Sequence, residues 1–234
     1  MKIFACDSTA KTASVALCED NMLLAEFTQN GGNTHSETLL PMTEVLLNSM
    51  KTDIDEIDVF AVSEGPGSFT GVRIGAATVK GFAHRKDKPC IGVSTLEALA
   101  RNLAFGEDKI ILPVMDARRG QFYTAKFAFR CGKLERIGED TPMSFEDFLE
   151  DVRALGERVY LCGDGYSHAR KLLGDELSYE TPEKLRYQSA YSVAQIAYEK
   201  YLAGDRTSAD ELRPTYLRLP QAERDRLNAE KLKG

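Results

Sequence analysis

The feature that most constrains this chain is a glycine-rich turn that leads from a buried strand into a helix with small residues along one side. Residues 58–63 have the β-branched and aromatic content of an interior strand. Gly65-Pro66-Gly67 then forces a tight turn, and Ser68 or Thr70 is placed to cap the helix that follows. Its small residues are Gly71, Gly75, Ala76 and Gly81. This pattern predicts a close approach, either by an anion at the helix N terminus or by a second helix packed on the glycines.

Composition narrows the class of protein. A chain of 234 residues with 43% hydrophobic residues is long enough to bury a core as one large domain or two small ones. The net charge of −6 gives no overall basic field, so we do not expect tight nucleic-acid binding by this chain alone. Its apolar runs are too short for a signal peptide or a membrane span, and its five cysteines show neither disulfide nor zinc spacing. We therefore expect a cytoplasmic protein with free thiols and no membrane association.

One succession of elements occurs twice along the sequence. The strand 2–9 ends in an aspartate turn and precedes two short strands at 13–17 and 22–27. A second strand, 109–116, also ends in an aspartate, and after a turn at 118–120 it is followed by strands at 121–127 and 133–137. The repetition predicts an internal duplication: two α/β lobes, each opening with a three-stranded meander and continuing through helices and parallel strands.

The predicted division of the chain follows from this repeat. The N-terminal lobe covers 1–105 and is completed by the alanine- and tyrosine-rich helix near 190–204, and the C-terminal lobe covers 106–189. A C-terminal segment, 205–234, ends in a charged stretch from Gln221 to Gly234. We expect that stretch to be a mobile tail or a helix ordered only by contact.

A leucine-rich helix begins near Thr34. Thr34 and Glu37 have capping-box spacing, which predicts that the threonine hydroxyl accepts a bond from the backbone of Glu37. The apolar residues recur at helical spacing and include Leu39, Leu40, Thr43, Leu46, Leu47 and Met50. This arc is wider than one sheet face needs. It indicates a protein interface, and ordinary core packing remains the alternative.

The first turn is the candidate ligand site. Asp7-Ser8-Thr9 after a first strand suits a metal-bound water and a phosphate, but Ala10 and Lys11 follow where a phosphate turn would have glycine. Ordinary turn chemistry is the competing interpretation. The glycine turn lacks the lysine of a Walker loop, so only a backbone anion site remains open there. The resulting candidate is a vestigial nucleotide site of Asp7, Ser8, Thr9, Gly65, Gly67 and Ser68.

Histidine spacing argues against a metal site. His35 is the one histidine near a candidate site, and Leu39 occupies the next helical turn, where a second ligand is expected. His84 and His168 lack carboxylates at ligand spacing. We therefore predict no metal, no cofactor and no catalytic residue in this chain.

Several segments together resemble one bacterial family. They are residues 35–41, 65–75, 77–81, 116–123 and 214–218. These segments are similar to those of the TsaB (YeaZ) family of tRNA threonylcarbamoyladenosine biosynthesis proteins, and the similarity spans nearly the whole chain. The resemblance implies a two-lobed actin-like ATPase fold, in agreement with the duplication.

The resemblance also implies a non-catalytic role. In this family the paralogue TsaD carries a paired-histidine metal motif and transfers the threonylcarbamoyl group to the adenosine beside the anticodon. TsaB-like proteins pair with TsaD through the two helices described above, the ATPase TsaE docks on that pair, and tRNA is met only in the complex. The resemblance thus assigns a partner interface to His35, Leu39, Leu40, Thr43, Leu46, Leu47, Gly71, Arg73, Gly75, Ala76 and Lys80. Because that face is apolar, we expect a homodimer when the chain is isolated.

Three other functions remain open. The two-lobe pattern is also typical of a stand-alone ATP-dependent phosphotransferase or ATPase. A metallopeptidase is opposed by the missing second histidine. Direct tRNA binding is conceivable through Arg73, Lys80, Arg85 and Lys86, although the acidic total predicts that it is weak.

Overall fold

The computed structural model describes residues 1–32 and 34–218. The charged stretch from Gln221 to Gly234, for which we expect a tail, lies outside the described residues. The strands are β1 (Lys2–Asp7), β2 (Ala13–Glu19), β3 (Met22–Gln29), β4 (Val59–Gly65), β5 (Cys90–Ser94), β6 (Lys109–Asp116), β7 (Gln121–Thr124), β8 (Phe127–Arg130), β9 (Lys133–Arg136), β10 (Thr141–Ser144), β11 (Val159–Cys162) and β12 (Ser178–Tyr179). The helices are α1 (His35–Ser49), α2 (Phe69–His84), α3 (Thr95–Arg101), α4 (Phe145–Leu155), α5 (Tyr166–Leu177) and α6 (Ala190–Leu202).

The first sheet has the strand order β3-β2-β1-β4-β5. The first three strands form an antiparallel meander, and β4 and β5 run parallel to β1. Phe4 and Cys6 of β1 face a core shared with α1 and α2, whereas Ile3 and Ala5 face a core shared with α6. Both faces of β1 are therefore buried, which explains its unbroken apolar sequence.

The second sheet repeats this topology with interrupted strands. β7 and β8 both pair antiparallel with β6, and both keep one register, with Val114 opposite Thr124 and Ile111 opposite Phe127. Between these pairs lies Pro113, which has no N–H to donate to the ladder. β7 and β8 are thus two halves of one strand, where the sequence predicts one continuous strand over 121–127. β9 and β10 pair with those halves, and β11 and β12 run parallel to β6.

The predicted duplication is confirmed. Each sheet consists of a meander followed by two parallel strands, and the molecule has the two-lobed actin-like fold. α6 packs through Ala190, Val193 and Ala197 on the face of the first sheet opposite α1 and α2. This packing supports assigning α6 to the first lobe, and the lobe boundaries remain our prediction. Among the helices described, none is long and apolar enough to cross a bilayer.

Candidate functional site

The carboxylate of Asp7 at the end of β1 is fully engaged by its own chain. Thr9 donates to Oδ1 through its backbone N–H at 2.8 Å and its hydroxyl at 2.7 Å, and the Ser63 hydroxyl donates to Oδ2 at 2.5 Å. The side chain is completely buried. Burial raises the pKa of Asp7, while the hydrogen bonds from Ser63 and Thr9 oppose that rise. Both oxygens hold the turn in place, so Asp7 does not reach a metal or a phosphate in the cleft.

The glycine turn is packed against the turn that follows β1. A Cβ on Gly67 would overlap the Thr9 carbonyl oxygen, and a Cβ on Gly71 would overlap that of Ser8. The Ser68 N–H donates to the Thr9 carbonyl at 2.6 Å, and the Ser8 hydroxyl donates to the Gly71 carbonyl at 2.9 Å. The close approach predicted from the glycines is therefore real. What approaches most closely is the chain's own backbone in the turn after β1.

The vestigial nucleotide site stays a prediction, although several of its residues are buried. Asp7, Ser8 and Thr9 are among them, and the Ser8 and Thr9 carbonyl oxygens lie against Gly71 and Gly67. Gly65 has φ +119°, and a Cβ there would overlap the Thr215 carbonyl oxygen. Of the predicted set, Thr9, Gly67 and Ser68 line the cleft between the lobes.

Most of the predicted interface on α1 belongs to the core of this chain. Leu39, Thr43, Leu46 and Leu47 are buried, and the leucines pack with Phe4, Val15 and Ile57. Helical spacing identifies a buried face but does not show what covers it, and here the first sheet covers it. The predicted Thr34 cap is also wrong, because its hydroxyl donates to the Glu37 carboxylate at 2.6 Å and makes no bond with the backbone.

The small residues of α2 are likewise turned inward. Gly71, Gly75 and Ala76 are buried, and Gly75 faces Ser8 and Val62. His35 lies at the start of α1, and its Nε2 is 2.5 Å from the Ala10 carbonyl oxygen. This hydrogen bond connects the helix to the turn after β1. We therefore remove the buried members of α1 and α2 from the predicted contact surface.

A different set of side chains is exposed on these two helices. Leu40 and Val45 of α1 are each 53% exposed. On α2, Arg73, Ala77 and Gly81 are exposed, and a Cβ on Gly81 would meet nothing within 4 Å. We call Leu40, Val45, Ala77 and Gly81 the α1–α2 face. Sequence analysis missed Val45 and Ala77 because neither follows the spacing of the buried residues.

The basic side chains of α2 are occupied by the chain itself. The Arg73 guanidinium lies 3.8 Å from the centre of the Phe69 ring, and its Nε donates to the Tyr216 hydroxyl at 2.9 Å. Lys80 donates to the Leu212 carbonyl at 3.3 Å. Both therefore hold residues 212–218, which we call the C-terminal strap. Further along, Arg85 and Lys86 both pair with Asp55, at 3.2 and 3.3 Å.

A cleft with a volume of about 750 Å³ lies between the two lobes. The first lobe contributes the turn after β1 and the start of α2, and the second contributes the β6–β7 turn and Asp164. The strap crosses it: the Thr215 N–H donates to the Glu64 carbonyl at 2.7 Å, and Arg218 donates to the Ala117 carbonyl at 3.1 Å. The strap thus contacts both lobes.

Two carboxylates shape the second-lobe wall of the cleft. Asp164 Oδ1 accepts a bond from the Asp116 N–H at 3.1 Å, and Asp116 Oδ1 accepts one from the Arg118 N–H at 2.7 Å. Desolvation by the surrounding chain raises the pKa of Asp164 to about 6, and the Asp116 carboxylate adds to the rise. The two aspartates hold the β6–β7 turn, a role that the sequence repeat did not reveal.

The histidines are dispersed in the structure. His84 is exposed at the end of α2, and the His168 ring packs on Phe122 and Phe145. Over residues 1–32 and 34–218, no group of three or more His, Cys, Asp or Glu side chains is arranged to hold a metal ion.

Known proteins similar to this chain point to one family. The family model described as TsaD, tRNA N6-adenosine threonylcarbamoyltransferase, matches residues 23–225. The tRNA threonylcarbamoyladenosine biosynthesis protein TsaB of Bacillus subtilis is 32% identical over 99% of this chain and all of the relative. TsaB of Escherichia coli is 30% identical over 93% of this chain and 95% of its own length.

A solved structure supports the fold. YeaZ from Pseudomonas aeruginosa superposes with a TM-score of 0.79 at 24% identity, covering 92% of this chain and 99% of that one. Sequence similarity extends over nearly all of both curated relatives, and the two-lobed fold agrees with it. The chain therefore belongs to the TsaB (YeaZ) family of tRNA threonylcarbamoyladenosine biosynthesis proteins.

Proposed function

We propose that this chain is a non-catalytic subunit of the machinery that makes threonylcarbamoyladenosine in tRNA. In this proposal it pairs with TsaD as a heterodimer, supports the docking of the ATPase TsaE on that pair, and meets tRNA within the complex. It uses no cofactor of its own and acts in the cytoplasm. The free thiols of Cys6, Cys18, Cys90 and Cys162, all buried, fit a reducing compartment.

The observation that carries the pairing is the open glycine on α2. Glycine within a helix costs about 1 kcal/mol relative to alanine. The other α2 glycines are explained by close neighbours, since a Cβ on Gly71 would overlap the Ser8 carbonyl oxygen and a Cβ on Gly75 would overlap the Ser8 hydroxyl. Gly81 has no such neighbour within 4 Å. One turn earlier lies the exposed Ala77, and Leu40 and Val45 are exposed on the adjacent α1. A partner helix that approaches closely would account for Ala77 and Gly81, and Leu40 and Val45 add exposed apolar surface on the two flanks of α1.

The non-catalytic role is supported by the turn after β1. A phosphotransferase of this fold needs a carboxylate and an open backbone cradle at that turn. Here the Asp7 carboxylate accepts three hydrogen bonds from the chain itself. The carbonyl groups of Ser8 and Thr9 lie directly against Gly71 and Gly67. The alternative of a stand-alone ATPase or phosphotransferase is weakened by this geometry.

The test is co-purification of tagged variants with TsaD of the same organism. Leu40→Glu combined with Gly81→Glu places two carboxylates on the α1–α2 face, and we expect pairing to fall at least a hundredfold because buried charges at an interface centre lack partners. Ile137→Glu is the matched control, since Ile137 is 49% exposed on the second lobe. The control should pair like the parent chain, and all variants should keep the parent's thermal unfolding profile.

Retained pairing of the Leu40→Glu, Gly81→Glu variant would refute the α1–α2 face. If the parent chain itself did not pair with TsaD, the proposed function would fall as a whole. Addition of Mg-ATP to the isolated chain, followed by phosphate release, tests the ATPase alternative directly.

A further inference from the structure

Four cationic side chains converge on the cleft between the lobes. Lys11, Arg118 and Arg119 are exposed there, and Arg218 is half-buried on the strap. Among the described residues, none of the four has an acidic partner within 4.0 Å. The carboxylates that line the cleft are Asp116 and Asp164, so four cations face two acids on a chain whose net charge is −6. This local excess of positive charge favours an anionic ligand.

The two arginines are held in place by an unfavourable backbone. Arg118 has φ +59°, Arg119 has φ +56°, and Gly120 completes the turn at φ +73°. The left-handed region favours glycine or asparagine, so a turn selected only for stability would not carry two arginines in succession. The Asp116 carboxylate accepts the Arg118 N–H and fixes the turn. The result of this strained backbone is that two guanidinium groups lie at the rim of the cleft.

The geometry favours a polymer backbone over a single nucleotide. The Ser8 and Thr9 carbonyl oxygens lie against Gly71 and Gly67, and both Asp7 carboxylate oxygens are already bonded within the chain, so this end of the cleft offers little to a nucleotide's phosphates and metal. The cations instead come from three segments that line the cleft, namely the turn after β1, the β6–β7 turn and the strap, and the phosphates of an RNA strand can contact more than one of them. The basic residues suggested for RNA contact by the sequence, Arg73, Lys80, Arg85 and Lys86, are all bonded within the chain. Within the rim, Arg218 is also partly engaged through its bond to the Ala117 carbonyl, so the exposed Lys11, Arg118 and Arg119 provide most of the available charge.

We propose that the rim formed by Lys11, Arg118, Arg119 and Arg218 binds the phosphate backbone of an RNA strand. The inference rests on the proposed function, which brings tRNA to the complex, and it assigns to this chain an RNA contact separate from the α1–α2 face. Arg118 and Arg119 supply two phosphate contacts whose strength falls as salt is raised.

The test is fluorescence anisotropy with a labelled, unmodified tRNA transcript that reads codons starting with A, titrated across salt concentrations. It uses the chain alone and its complex with TsaD. Arg118→Ala with Arg119→Ala should weaken binding about tenfold at 100 mM salt and reduce the slope of log affinity against log salt by roughly 1.4–1.8. Arg85→Ala with Lys86→Ala removes the same charge from a site paired with Asp55 and should leave the slope unchanged.

A glycine pair separates binding from folding. Arg118→Gly with Arg119→Gly suits the left-handed turn, so it should keep the Tm or raise it by about 2–4 °C while losing RNA affinity as the alanine pair does. Restored binding by Arg118→Lys with Arg119→Lys would support point-charge contacts.

Four results would overturn the inference: unchanged RNA binding by the alanine pair, equal losses in the control pair, no RNA binding by the parent chain or its complex, or displacement of RNA by Mg-ATP, which would make the cleft a nucleotide pocket. Failure of the proposed function is distinguishable, because the parent chain would then not pair with TsaD. The anisotropy of the isolated chain would still decide whether the rim binds RNA.

Discussion

At the scale of single residues, the pair Asp116 and Asp164 determines how the cleft responds to pH. Both carboxylates accept backbone N–H bonds that hold the β6–β7 turn, and they lie close enough to affect each other. The pKa of Asp164 rises from 3.8 to about 6, so the folded chain binds a proton there more tightly than the unfolded chain. Ionisation of Asp164 therefore lowers stability, and the loss is complete above pH 6.

Replacing Asp164 with asparagine should stabilise the fold at neutral pH. The amide oxygen still accepts the Asp116 N–H but does not ionise, so we expect a gain of about 1 kcal/mol at pH 7.5 after allowance for solvent screening. The gain should shrink as pH falls from 6 towards 3.8 and vanish only well below 3.8, where Asp164 is protonated in both the folded and the unfolded chain. Urea unfolding of parent and variant at pH 7.5 and 4.5 measures this difference.

Asp87→Asn is the control, because Asp87 is an exposed turn residue at φ +50° and the substitution changes net charge equally. Its unfolding midpoint should match the parent at both pH values. A stabilisation by Asp164→Asn that is as large at pH 4.5 as at pH 7.5 would show that ionisation is not the cause.

At the scale of elements, the sequence specified the strands and their repetition but not what covers each face. Strand composition and the aspartate turns are local, so β1 to β3 and their repeat after β6 could be predicted. The leucine spacing of α1 identified a buried face correctly, yet Leu39 and Leu46 turned out to face the first sheet. Periodicity reports that a face is buried and carries no information about the partner.

The α2 glycines show the same limit. Small residues signal close approach, but only the structure shows that Ser8 and Thr9 approach Gly71 and Gly67 whereas nothing approaches Gly81. The β6–β7 turn was visible as a hairpin, and the left-handed conformation of Arg118 and Arg119 was not, since arginine gives no local signal for it. Contacts between residues far apart in sequence account for the first omission, whereas the β6–β7 turn is held locally by the bond from the Arg118 N–H to the Asp116 carboxylate.

Two glycines of the same helix should therefore respond oppositely to alanine. Gly71→Ala forces a methyl group into the Ser8 carbonyl, and because backbone cannot move aside cheaply we expect a loss of about 3 kcal/mol or failure to fold. Gly81→Ala meets open space and should stabilise the chain by about 0.5–1 kcal/mol. Urea unfolding of the two variants beside the parent tests the pair.

The Gly81→Ala variant should also pair more weakly with TsaD, because the added methyl group holds the partner helix away. Stability and pairing would then move in opposite directions in one variant. Equal stability of parent and Gly71→Ala would contradict the packing of α2 on the turn after β1.

At the scale of the whole molecule, the strap and the two lobes form a unit with distinct surfaces. The strap is hydrogen-bonded to Arg73 and Glu64 of the first lobe and to Ala117 of the second. It therefore crosses the cleft and contacts both of its walls. The α1–α2 face belongs to the first lobe, and its two contributing helices also build the first-lobe core. The proposed partner surface and the proposed RNA contact therefore lie on different parts of one molecule.

The exposed α1–α2 face predicts the assembly state of the isolated chain. Leu40 and Val45 are each 53% exposed. When TsaD is absent, the same face of a second copy of the chain can cover them. A two-fold contact of standard size buries about 800 Å² on each partner, so we expect a homodimer at tens of micromolar in sedimentation velocity. Leu40→Glu with Gly81→Glu should sediment as a monomer, whereas Ile137→Glu should remain dimeric.

One face serves both assemblies in this proposal, so the two must compete. Adding TsaD to the parent homodimer should convert it to a one-to-one heterodimer, with loss of the homodimer boundary as the heterodimer boundary grows. A parent chain that stays monomeric at tens of micromolar would contradict the homodimer. A larger complex in which TsaD binds an intact homodimer would show that homodimer and heterodimer use different surfaces, because a face already buried between two copies has no area left for TsaD.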